Sequence, residues 1–127
     1  MKLLLGIIII LTTSCAEIFK TELPPIQDCS DNTENCSYTE TIQPIFDMYC
    51  TRCHGNQGGL DLTSFSGLMI GGISGEVINN ADFSNSILLE RLTNSTNPMP
   101  PSYDGGMIDD LYINMISKWI QSGANNN

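Results

Sequence analysis

The chain has 127 residues, 41% of them hydrophobic and 15% charged, with a formal net charge of −9. That length and composition fit one globular domain and exclude a disordered chain. Five Lys and Arg against fourteen Asp and Glu exclude nucleic acid or an anionic membrane surface as the main partner, because both require clustered basic side chains.

The first fourteen residues stand apart. Lys2 precedes an apolar run over residues 3–11, and Thr12-Thr13-Ser14 leads into Cys15. Nine residues cannot cross a hydrocarbon core that needs about 20. Residues 1–14 therefore read as a secretory signal peptide. Removing them leaves 113 residues and, with Lys2 gone, a formal charge of −10. Residues 15–36 are acidic and polar with Pro24-Pro25 in the middle, and read as a tether and surface loop.

From Thr39 the pattern turns helical. Ile42, Ile45-Phe46 and Tyr49 fall on one face, Ser37 or Thr39 can cap the start, and Pro44 is tolerable only near the first turn. This helix runs into Cys50-Thr51-Arg52-Cys53-His54 and stops at Gly55. After a Gly-rich loop, Thr63 or Ser64 caps a short helix through Leu68-Met69-Ile70, closed by Gly71-Gly72. Asp82 or Ser84 starts another, with Ile87-Leu88 and Leu92 inward and Glu90-Arg91 outward. Pro98-Met99-Pro100-Pro101 can be neither helix nor central strand. The last helix carries an apolar stripe of Ile108, Leu111-Tyr112, Met115-Ile116 and Trp119-Ile120, with Asp109-Asp110 at its start and Gly123 at its stop. No run of strands is visible, so the fold class is all-α.

Cys50-x-x-Cys53-His54 is the pattern for covalent attachment of a c-type haem. Two thiols one helical turn apart can each add to a vinyl group on the same porphyrin edge, and the adjacent imidazole reaches the iron. His54 is the only histidine. A thiol redox pair would expect a βαβ context, which is missing. A zinc site built from Cys29, Cys36, Cys50 and Cys53 is the serious rival. Against it stand the export signal, which places thiols where they oxidise, and the lack of any role for His54 or the Pro-rich loop.

A haem iron with one His ligand has a sixth position, and Met99 in its proline-stiffened loop is the candidate. Its thioether is soft and raises the reduction potential. Met48 shares the attachment side, Met69 lies in a short helix, and Met115 sits on the core stripe. Met107 is the main competitor.

These blocks resemble a known family. Ile42-Gln43-Pro44-Ile45-Phe46, Cys50-Thr51-Arg52-Cys53-His54-Gly55, Gly58-Gly59-Leu60-Asp61-Leu62, Met99-Pro100-Pro101 and Trp119-Ile120-Gln121-Ser122-Gly123-Ala124 look like the small cytochrome c domains of Planctomycetes and Bacteroidetes. The resemblance covers roughly residues 37–124 and leaves 125–127 as a tail. It implies a class I-like cytochrome c fold around one covalent haem c, with His54 and Met99 as axial ligands. The implied activity is electron transfer, by a carrier rather than an enzyme, as a subunit or partner of an oxidoreductase. Leu11-Thr12-Thr13-Ser14-Cys15 resembles a bacterial lipobox, with Thr12 where Leu is usual. Cys15 then becomes a lipidated first residue that anchors the protein to a membrane of the cell envelope. Cys29 and Cys36 are left to pair with each other.

The leading expectation is thus a membrane-anchored monohaem cytochrome c that serves redox partners with basic docking surfaces. Arg52 or Arg91 could face a haem propionate. A haem-based peroxide- or gas-binding protein with a labile Met ligand, and a structural zinc module using the four cysteines, are the two rival readings.

Overall fold

Ser37 opens the helical part of the chain, its Oγ accepting from the Glu40 N–H at 3.2 Å. The computed structural model describes residues 26, 28–29, 36–55 and 59–127. The apolar run of residues 1–14, Cys15 and most of the tether lie outside them. Where the sequence pattern predicts a regular helix from Thr39, the first turn is π-helical over Tyr38–Ile42 and then continues as α1, Gln43–Tyr49. The cause is local. Pro44 has no N–H to give, and its ring crowds the carbonyl four residues earlier in a regular turn. The Ile42 N–H instead reaches five residues back to the Ser37 carbonyl at 3.2 Å, and the wider turn accommodates the ring.

Three further α-helices follow, α2 over Phe65–Ile70, α3 over Ile87–Thr93 and α4 over Asp110–Gln121. No strand occurs among the described residues, so the fold is all-α as the sequence pattern indicates. Nor is any helix among them long and apolar enough to cross a membrane.

The Ser64 Oγ caps α2 by accepting from the Gly67 N–H at 3.1 Å, and Gly71 ends it at φ +80°. Gly67 sits inside this short helix for a steric reason: a Cβ there would lie 2.5 Å from the Asp61 carbonyl oxygen. The sequence places the start of α3 at Asp82 or Ser84, and the structure corrects this. The Asp82 carboxylate is taken by the Ser84 hydroxyl at 2.6 Å and heads a 3-10 turn over Phe83–Asn85. Ser86 then breaks the helix, because its buried hydroxyl turns inward to accept from the Asn79 N–H at 2.9 Å.

The core lies where α4 meets the first helical segment. Ile42, Ile45 and Phe46 meet Ile116, Trp119 and Ile120, all six fully buried. The Tyr38 ring lies 5.4 Å from that of Trp119, and the Trp119 Nε1–H donates to the Asn125 carbonyl at 3.0 Å. Asp109 caps α4 by accepting from the Leu111 N–H at 2.8 Å. The predicted stripe is shifted at this end: Leu111 is 40% exposed and Ile113 takes the inward position. The helix begins at Asp110, and the spacing of Ile113, Ile116 and Ile120 sets the inward face. The sulfurs of Cys29 and Cys36 lie at bonding distance, 2.01 Å, within this core.

Candidate functional site

The end of α1 builds the attachment turn. The Cys50 N–H donates to the Phe46 carbonyl at 2.7 Å, and the Cys50 carbonyl accepts from the N–H groups of Cys53 (3.1 Å) and His54 (2.9 Å). One tight turn therefore carries both cysteines and the histidine. The His54 carbonyl accepts from the Leu62 N–H at 2.7 Å. The Leu62 carbonyl in turn accepts from Gln43 Nε2 at 3.0 Å, and Gln43 also donates to Asp47 at 2.7 Å. The Tyr38 hydroxyl donates to Gln43 Oε1 at 2.6 Å. Burial, then the charges of Asp47 and Asp61, push that phenol up to about 12, so it stays a donor throughout the physiological range. The histidine segment is thereby anchored to α1 and to the core.

Cys50, Cys53 and His54 face a cavity of about 440 Å³, within the roughly 300–1,000 Å³ usual for ligand sites. Its walls include Leu60, Leu62, Val77, Leu88 and Leu92, and its opposite side is the Met99-Pro100-Pro101 loop. Ile73 and Tyr103 also line it, although they are 86% and 92% exposed. Large apolar side chains around an open cavity fit a sizeable apolar group between them.

The donor atoms fit a haem as well. His54 lines the cavity, and its imidazole Nδ1 is buried with no hydrogen-bond partner, so the ring is not committed to a protein contact through that nitrogen. Burial, then the charges of Asp47 and Cys53, push the Cys50 thiol up to about 12. A redox-active Cys-x-x-Cys needs the opposite shift, because the thiolate is the nucleophile. Cys50 is therefore poorly suited to be that nucleophile. The zinc arrangement fails on placement: no three His, Cys, Asp or Glu side chains among the described residues are grouped for a metal, and Cys29 and Cys36 are bridged in the core.

The structure brings Met99 to the same cavity as His54. The Met99 N–H donates to the Arg91 carbonyl at 2.9 Å and ties the loop to α3. The other described methionines lie elsewhere. Met107, 46% exposed, and Met48 line a separate cavity of about 320 Å³; Met69 packs partly against the core and Met115 is buried in it. Arg91 lines the same cavity as His54 and Met99 and has no ion pair among the described residues. Arg52 is paired with Asp104, a contact that sequence spacing gave no means to find. Ile73 and Tyr103 were also missed, since neither belongs to a periodic apolar pattern.

No curated protein and no solved structure matches the chain. Residues 50–103 match the family model described as Planctomycete cytochrome C, a span running from the first motif cysteine to just past the Met99 loop, and the chain carries a cytochrome c-like domain.

Proposed function

We propose that this protein is a monohaem c-type cytochrome that relays single electrons in the bacterial cell envelope. The family implies a covalently bound haem c and a haem-based electron-transfer role. The observation that carries the finer reading is one cavity lined by Cys50, Cys53, His54 and Met99 together. In this reading Cys50 and Cys53 would hold the haem through thioether bonds, and His54 and Met99 would be the side chains that ligate its iron. When bound, the haem supplies a one-electron iron centre whose potential a Met ligand raises.

The chain's own residues do the rest. The Leu and Val side chains give the cavity an apolar wall, and Gln43 holds the histidine segment through Leu62. Arg91, which has no ion pair among the described residues, lies on the cavity wall and suits a haem propionate. The acidic surface suits redox partners that present Lys and Arg, with the attraction acting chiefly on association rate.

An absorption spectrum of the purified protein, with the haem quantified after alkaline pyridine treatment, tests the reading. Low-spin haem c bands, a thioether–iron charge-transfer feature and one haem per chain are expected. High-spin bands would transfer the assignment to a peroxide- or gas-binding protein. A colourless, zinc-containing protein would overturn it.

The same proposal anchors the protein by lipid at Cys15. Cys15→Ser is expected to move it from the membrane to the soluble fraction with an unchanged spectrum, because residue 15 is not among those that line the cavity. Retention of the variant in the membrane fraction would rule the anchor out.

A further inference from the structure

Two segments carry the proposed ligands, and each is tied to a different part of the fold. The His54 segment is held to α1 through Leu62 and Gln43, and the Met99 segment to α3 through the Arg91 carbonyl. The described polar contact that joins the two segments directly is the ion pair of Arg52 with Asp104. Arg52 lies between the two motif cysteines. Asp104 ends the 3-10 turn Ser102–Asp104, and its own N–H donates to the Pro101 carbonyl at 2.8 Å, so its position is fixed relative to the Met99-Pro100-Pro101 loop. The two faces of the pair differ: the Arg52 side chain is 73% exposed, whereas that of Asp104 is 26% exposed and borders both cavities.

We infer that Arg52 and Asp104 form a latch that holds the Met99 loop against the attachment turn and so sets how often the sixth iron position opens. This rests on the His54 and Met99 ligation proposed above. Both are positioning residues, and neither touches the reacting atoms. An external ligand can bind only when Met99 has left, so its apparent affinity scales with the open fraction. An exposed ion pair is worth at most about 1 kcal/mol, which converts to about a fivefold change in that fraction.

Imidazole, being available as a neutral ligand, is the suitable probe, titrated spectroscopically into the ferric haem-loaded full chain. Arg52→Gln and Asp104→Asn are each expected to raise imidazole affinity about two- to fivefold. The double variant should rise no further than either single one, and the charge-exchanged Arg52→Asp/Asp104→Arg protein should return towards the wild-type value. Added salt should raise affinity in the wild type and leave the single variants nearly unchanged, since screening weakens only the intact pair. Unchanged affinity in both single variants, or opposite effects from the two, would overturn the latch. Near-identical thermal midpoints in the variants exclude a folding defect as the cause. Met99→Ala separates the two levels of inference. If it leaves imidazole affinity unchanged, the ligand assignment has failed; if it raises affinity while the pair variants do not, only the latch has failed.

Discussion

Met99→Ala is expected to keep the haem covalently attached while raising imidazole and carbon monoxide affinity by about 10- to 1,000-fold. Attachment depends on Cys50 and Cys53, which the substitution leaves in place. The range follows from the open state, since a minor conformer held off by a few kcal/mol is populated at roughly 0.1–10%, and removing the thioether makes it the only state. The reduction potential should fall, because the ligand that favours ferrous iron is gone. Met107→Ala is the control. Its side chain borders the other cavity and is 46% exposed, so affinity and potential should match the wild type. If the two variants exchange behaviours, Met107 is the ligand.

Trp119→Ala is expected to be the most damaging core substitution. The side chain is fully buried and packs on Tyr38 at a ring distance of 5.4 Å. Truncating a buried Trp costs about 3–5 kcal/mol, and the Asn125 carbonyl would lose its Nε1–H donor as well. Against a domain stability of about 5–15 kcal/mol, that is a large part of the whole. A fall in the thermal midpoint of about 12–40 °C follows from a sensitivity of about 4–8 °C per kcal/mol in a domain of roughly 100 residues. Far-UV circular dichroism melts will measure it. Trp119→Phe should recover much of the loss, because the ring contact survives and only the hydrogen bond is removed. A midpoint within a few degrees of wild type for Trp119→Ala would mean that the α4 crossing is not the main source of stability.

What could be read from the sequence was what local rules decide. The Ser64 cap, the Gly71 stop and the Met115-Ile116 and Trp119-Ile120 part of the α4 face each depend on residues within a few positions of one another, and the structure has them where the pattern puts them. The Cys50-x-x-Cys53-His54 motif is local too. The irregular loop that carries Met99 was legible because three prolines around it exclude both helix and strand. What escaped was set by parts of the chain remote in sequence, or by geometry without a compositional signature. Ser86 is an ordinary helix-start residue until Asn79 draws its hydroxyl inward, which delays α3. Gly67 looks like a weak point in a helix until the Asp61 backbone is seen to occupy the space of a side chain. Arg52 and Asp104 read as solvated charges, because nothing in a linear sequence brings residues 52 positions apart into contact.

The ties at Leu62 and Met99 have one further consequence. Both segments are held by main-chain donors, Leu62 N–H to the His54 carbonyl and Met99 N–H to the Arg91 carbonyl. Any residue except proline supplies such a donor. The side chains of Leu62 and Arg91 take no part in these two hydrogen bonds, so the bonds themselves place no demand on either identity. The surrounding wall can exchange apolar for polar groups, and charge for neutrality, while the spacing across the cavity persists. Descendants of this chain can thus retune the polarity felt at the centre of the cavity, a lever on redox potential, without redesigning the scaffold that presents it.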